Sequence, residues 1–413
     1  MARVSVWVRV AGLVAGAGLL AAGAARAEDW PHWRGPRRDG ISREAGLVKS
    51  WPASGPKIAW EKDLTGGWST PSVVGGKLYV TTEDNKEEIV LCLDAATGKP
   101  VWEYRYPCDY DQHPSLDQRF KSGPRSSPTV DDGHIYTLGT TGLLHCLDAA
   151  SGKPVWKTDL LAMAKTEAPI AGYCSSPMIE GDTLYVNPGG AGTSVAALNK
   201  KDGRVLWQTG DDAMGYATPV LLESQGVRQV LYFTGGGLVS VSPTDGKPLW
   251  RFDWKTPFDL NVATPIHHNG EVFISTNYGR GCALLRLKGA AQPEEVYRSA
   301  NMQNHFATSV LWDGHLYGLS NDRLRCVEWA TGEVKWDQRG IGRGSVMIAD
   351  GQLIILGERG ELILAELSPI AFTEKARWRA LNAPCWSPPS LANGLLYIRN
   401  EDKLIAVDMR AGQ

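Results

Sequence analysis

Apolar residues in this chain come in short runs broken by polar turns, and the runs are the length of strands rather than helices. LCLDAATGKPVW (91–102) reads as an apolar strand, a polar turn ending in Gly, and a second strand ending in Trp. The pattern returns in LHCLDAASGKPVW (144–156), AALNKKDGRVLW (196–207), VSVSPTDGKPLW (239–250) and RCVEWATGEVKW (325–336). A tight hairpin needs positive φ near its end, which Gly takes without steric cost. A second module precedes each of these: a strand, an Asp-Gly or Asn-Gly turn, and a strand with an aromatic residue. STPSVVGGKLYV (69–80) and SSPTVDDGHIYTL (126–138) are examples. The two modules together predict a four-stranded antiparallel meander.

The closing aromatics are Trp60, Trp102, Trp156, Trp207, Trp250, Tyr297, Trp336 and Trp378, spaced 39 to 54 residues apart. That is the period of a propeller blade. Tyr297 ends a degenerate unit that has lost the Gly hairpin. Closing aromatics and opening strands are out of phase: Trp60 has no strands before it, and the last meander has three strands and no fourth. The solution is an all-β, eight-bladed propeller in which Ile58-Ala59-Trp60 completes the last blade and leaves no open sheet edge. The expected organisation is a signal peptide at 1–27, an N-terminal extension at 28–54 and the propeller at 55–413.

The first segment pairs Arg3 and Arg9 with an apolar run from Val10 to Ala22 and a small-x-small site, Ala25-Arg26-Ala27. This predicts secretion and cleavage after Ala27. The first cysteine is Cys92, so no lipid-bearing cysteine is expected to follow. The formal charge of −2 becomes −5 once three arginines and no acids leave with the leader. With no basic run, the chain is a poor candidate for binding nucleic acid. Cys92, Cys146 and Cys326 share one repeat slot that holds Ala197, Ser240 and Ala406 elsewhere, which makes it a small buried packing position. Cys174 and Cys385 are read as opening strands, Cys108 lies in a long loop and Cys282 belongs to the degenerate unit; their pairing stays open.

In such a meander the Asp-Gly and TGK turns share one face and are nearly uniform. The loops between second and third strands and between blades share the other face and vary widely, as in EDNKEE (83–88), NPGGAGTS (187–194) and TNYGRG (276–281). Binding is specified where loops vary. Residues just before the innermost strands should rim the channel on that face: Trp68, Arg125, Tyr173, Tyr216, Asn261, His305, Arg343 and Trp386. That set suits a planar, anionic or polar ligand, or an extended peptide. His134 and His315 sit on the uniform turns, and His267-His268 point to opposite sides of a strand. Asp109, Asp111, His113 and Asp117 gather oxygen and nitrogen donors in one loop without the spacing of a known cation site. No catalytic residue and no metal site is assigned.

The LDAATGKPVW-type repeat resembles the pyrroloquinoline quinone (PQQ) enzyme repeat, from about Gly55 to Asp408. The opening DWPHWRGPRRDGIS looks like the start of exported PQQ-like propeller proteins of planctomycete-type bacteria. The resemblance implies blades docked through Trp and Gly. It does not fix an activity, since the repeat is shared by quinoprotein alcohol dehydrogenases and by non-enzymatic BamB-type outer-membrane assembly factors. The former carry an adjacent Cys pair, and a Glu and an Asn on Ca²⁺ beside a catalytic Asp; neither set maps onto this chain. The latter are lipoproteins. The expectation is a periplasmic or secreted, monomeric, non-catalytic scaffold without a membrane span after cleavage. Its channel mouth would bind an envelope protein, a peptide or a glycan. The alternative is a divergent quinoprotein using PQQ and Ca²⁺ to oxidise a small alcohol or sugar.

Overall fold

The computed structural model describes residues 1, 27–110 and 123–412. Eight sheets of antiparallel strands follow one another around a ring. Blade 1 is Ser72–Val74, Lys77–Asp84, Glu87–Asp94 and Pro100–Pro107, and blades 2 to 6 repeat that order. Blade 8 takes its first three strands from Ser390–Ala392, Leu395–Arg399 and Lys403–Asp408 and its fourth from Ile58–Asp63. The register is Ile58 to Val407, Trp60 to Ala406 and Asp63 to Lys403, so the ring is closed by the two ends of the propeller, as the repeat phase requires. Residues 2–26 of the expected signal peptide, and Asp111, His113 and Asp117, lie outside the described residues.

The repeat residues form the joints between blades. The Trp60 Nε1 donates to the Ala95 carbonyl at 2.9 Å, Trp102 to Ala149 at 3.1 Å, Trp156 to Lys200 at 2.9 Å, and Trp336 to Ser368 at 2.9 Å. The indoles of Trp60, Trp102 and Trp156 also lie on the next hairpin's glycine: a Cβ at Gly152 would sit 2.5 Å from the Trp102 ring, and Gly152 has φ +71°. Glycine is therefore demanded twice there, by backbone conformation and by the ring against it. Tyr297 fills the Trp position of the degenerate unit and donates its hydroxyl to the Trp329 carbonyl at 3.0 Å. Ahead of that unit Gln229 acts as a relay. It accepts from Trp250 Nε1 at 2.8 Å and donates to the Gly289 carbonyl at 3.2 Å.

The cysteine slot has a geometric cause. Cys92 lies in register between Tyr79 and Trp102, Cys146 between Tyr136 and Trp156, and Cys326 between Tyr317 and Trp336. Ala197 and Ala406 sit likewise between Tyr and Trp. The flanking rings meet across the small residue, with centroids 6.0 Å apart for Tyr79 and Trp102. A larger side chain would drive them apart. All seven thiols are free. Burial pushes those of Cys92, Cys146 and Cys326 up to about 11, which keeps them protonated and unreactive.

Inner strands are tied by hydroxyls. Ser72 Oγ donates to the Pro128 carbonyl and Thr129 Oγ1 to Pro177. Across the non-covalent seam Ser390 Oγ makes the same bond to Pro71, at 2.6 Å. Arg399 reinforces that seam from full burial, donating to the carbonyls of Gly66, Gly67, Ser69, Thr81 and Asn400.

The extension is part of the ring. Trp30 exchanges backbone bonds with Val73 of blade 1, and the Pro31 carbonyl accepts from Val130 of blade 2. Arg38 reaches the Ile179 carbonyl of blade 3, Trp33 Nε1 reaches Thr264 Oγ1 of blade 5, and Arg34 reaches Thr308 and Ser309 of blade 6. Ile41–Ser42 adds a parallel strand to Ser345–Ala349 of blade 7, and Glu44 accepts from Asn393 and Gly394 of blade 8. A segment this short can reach inner strands on opposite sides only by lying across the channel. It plugs the end that carries the uniform turns.

Candidate functional site

The other end is the mouth, where the eight inner strands begin. Of the rim residues expected there, Tyr173 and Asn261 are fully buried. Tyr173 donates to the Pro188 carbonyl at 2.9 Å, and Asn261 Nδ2 donates to Thr234 at 2.7 Å and Trp254 at 3.0 Å. Tyr216 packs in the cluster of Leu160 and Tyr173. These three position the wall. Arg125 spends one nitrogen on the Gly123 and Ala171 carbonyls, at 3.3 and 3.0 Å. Trp68, His305, Arg343 and Trp386 are brought together, with Phe306 and Tyr278.

Those aromatics form an arc. Trp68 and Trp386 have ring centroids 4.8 Å apart, Trp386 and Phe306 4.7 Å, and His305 and Tyr278 5.3 Å. The chain runs from the entrance of blade 1, past blade 8, to blades 6 and 5. It leaves a gap at blade 7, whose position equivalent to Trp386 is an arginine. Arg343 stands beside this gap, exposed, and its guanidinium makes no ion pair among the described residues. Glu358 fixes its backbone: one oxygen accepts the Arg343 N–H at 3.1 Å and the other accepts Trp386 Nε1 at 3.0 Å. The Tyr278 hydroxyl and His305 Nε2 are 2.9 Å apart. Burial, and then the charge of Arg343, hold His305 down at about 4, so its ring is neutral at neutral pH.

Sequence reasoning missed Tyr278, Phe306 and Glu358. Tyr278 lay in plain view in the variable loop TNYGRG (276–281), and Phe306 adjoins His305. Glu358 had no signal, because it belongs to a turn between second and third strands and not to a strand entrance. Outward from the mouth, Glu61, Arg379, Asn382, Asn400 and Lys403 line a cleft of about 230 Å³ between blades 7 and 8. The histidines singled out elsewhere do not join the site. His134 and His315 bond their own turns' carbonyls, at Asp132 and Asp313, and His267 and His268 are exposed on a strand. Asp109 pairs with Lys86 at 2.7 Å.

The family model of the outer membrane protein assembly factor BamB matches residues 41–107 and 86–338. The chain belongs to that family. It spans about three fifths of the length of the curated relatives it matches. BamB of Yersinia pestis is 26% identical over 250 residues, which are 58% of this chain and 62% of that protein. Among solved structures, BamB from Moraxella catarrhalis superposes with a TM-score of 0.60 at 14% identity, covering 86% of this chain and 99% of that one. Quinohemoprotein alcohol dehydrogenase from Comamonas testosteroni gives a TM-score of 0.66 at 13% identity, over 95% of this chain and 82% of that one. At such identities the likeness shows the fold alone. No helix among the described residues is long and apolar enough to cross a membrane.

The quinoprotein neighbours raise the question of a quinone and its Ca²⁺. Such a pair asks for converging carboxylates and a flat aromatic floor. Among the described residues no three His, Cys, Asp or Glu side chains gather as a metal would need. The two indoles at the mouth tilt by 37° and face each other, leaving no slot between them. The described residues of the mouth do not fit this cofactor, and no redox step is derived.

Proposed function

We propose that this chain is an exported, non-catalytic scaffold of the BamB family that acts in outer-membrane protein assembly. It would dock an acidic, extended protein segment at the channel mouth. One observation carries the reading: the mouth offers a guanidinium that is unpaired among the described residues beside a continuous aromatic arc, while the opposite end is plugged. Arg343 matches a carboxylate in a two-point fork, and the arc from Trp68 to Tyr278 offers flat apolar area at low entropic cost.

The test is complementation. A strain lacking the protein should show reduced outer-membrane protein levels, restored by the wild type. The double variant Arg343→Glu with Phe306→Ala should keep its thermal midpoint and fail to restore them. Full restoration by the double variant would remove the mouth from the mechanism. Dye-linked turnover of an alcohol after loading with PQQ and Ca²⁺ would overturn the non-catalytic reading.

A further inference from the structure

The plug ends on a buried acid that has no cationic partner among the described residues. Glu44 is 3% exposed. Its Oε1 accepts the Asn393 N–H at 2.5 Å and its Oε2 the Gly394 N–H at 2.7 Å, both in the first turn of blade 8. A third donor is the backbone nitrogen of Glu28, 3.1 Å from Oε1. No ion pair to Glu44 is formed among the described residues. Burial outweighs these three neutral donors and leaves the carboxyl raised above its usual range. A buried carboxylate normally has a counter-charge, because removing it from water without one is costly.

The Glu28 nitrogen is held where that charge is missing. The Glu28 carboxylate is gripped by Arg37, at 2.5 and 3.1 Å, and by the Arg43 N–H at 3.0 Å. Arg37 is in turn fixed to the Ile41 carbonyl at 2.8 Å. Residue 28 is therefore anchored through its side chain independently of its nitrogen. The small-x-small site Ala25-Arg26-Ala27 ends at the peptide bond that this nitrogen belongs to.

We propose that removal of the leader between Ala27 and Glu28 creates an α-ammonium on Glu28 that forms a buried ion pair with Glu44, latching the plug to the last blade. Hydrolysis balances simply. Water adds across the amide, Ala27 departs with the carboxylate, and the Glu28 nitrogen becomes an amine that takes up the released proton. An α-amine has a pKa of about 8 before any pairing, so it is charged at neutral pH. Before cleavage the same nitrogen is a neutral amide and can give Glu44 one hydrogen bond. After cleavage it gives a charged one, which is shorter and roughly twice as strong. Processing thus finishes the fold at the place where extension and closing blade meet.

The first check is the intact mass of the exported protein, which should correspond to a chain starting at Glu28; a start elsewhere overturns the proposal. The second is a cycle of four proteins: the chain from Glu28 and the same chain with Ala27 retained, each with Glu44 or with Glu44→Gln. Freeing the amine should lower the unfolding equilibrium constant roughly tenfold when Glu44 is present. It should change nothing in the Glu44→Gln pair. An equal effect in both pairs, or none in either, overturns the latch. Should Glu44→Gln not fold, acetylation of the α-amine at pH 7 decides: protection above about tenfold relative to urea-unfolded chain is expected, and equal rates refute it.

Discussion

At the plugged end of the channel Arg34 is enclosed: its guanidinium donates to the carbonyls of Arg38, Asp39, Thr308 and Ser309, and among the described residues no carboxylate pairs with it. At the mouth Arg343 is exposed, and only its backbone is held. One residue type thus does two jobs. Where every donor meets a backbone carbonyl, the cation is a staple joining the extension to blade 6. Burial holds Arg34 down at about 10, still charged at any physiological pH. Where the guanidinium forms no ion pair among the described residues, the cation is available to a partner. The difference teaches that satisfaction, and not charge, separates structural from functional arginine here.

Breaking the comparison at its enclosed end should have the largest effect. Arg34→Met leaves several buried carbonyls without donors and should cost about 3–5 kcal/mol in urea unfolding. Arg343→Gln should stay within about 0.5 kcal/mol of wild type. Comparable losses at the two sites would erase the distinction. Arg399, buried at the seam of blades 8 and 1 and donating to five carbonyls and the Ser69 hydroxyl, should behave as Arg34 does.

The blade joints sharpen the same contrast between built and open positions. Gly152→Val forces a β-branched residue to φ +71° and drives its Cβ to 2.5 Å from the Trp102 ring. The expected cost is about 2–4 kcal/mol. Gln229→Leu, at the degenerate joint, strands the Trp250 N–H, the Ser240 hydroxyl and the Gly289 carbonyl and should cost about 2–3 kcal/mol. A neutral Gln229→Leu would show that the relay is incidental.

These joints were legible in the sequence because each repeats. Trp102 and Gly152 could be found by comparing the chain with itself, and the phase of the repeat dictated that Trp60 should cross to Ala406. The plug was not legible. Residues 28–54 have no repeat counterpart, and Arg34, Arg38 and Trp30 bind mostly backbone, which leaves no partner residue to notice. At the mouth, topology put Tyr173 and Asn261 just before strands but could not show that their side chains turn inward to pack. The arc escaped for the opposite reason. It is assembled from four blades, and its rings meet only when the fold brings those strand entrances to one mouth.

Acid should weaken the protein from both ends. Burial holds His32 in the plug down at about 3 and His305 at the mouth at about 4, and His145 between blades 1 and 2 at about 4. Each is neutral in the folded chain and takes a proton when unfolded below about pH 6.5. The unfolded state then binds more protons, so stability is full above that pH and falls as pH drops from 6.5 toward 4. Each His→Phe replacement that packs should reduce the slope by up to about 1.4 kcal/mol per pH unit. A flat profile over that window would mean that these rings are charged when folded.

The smallest effect isolates Arg343 itself. His305 is depressed first by burial and second by the Arg343 charge. Arg343→Gln removes the second cause and keeps the first. The His305 pKa should therefore rise from about 4 and still stop short of 6.5. His32, at the far end beside Arg38, should not move. The ring protons of both histidines, followed by NMR through an acid titration, report this directly. A shift at His305 alone places the guanidinium over the arc at the mouth, poised for an acidic partner. No shift at His305 would mean that Arg343 points away from the channel, and the docking role would pass to other residues of the mouth.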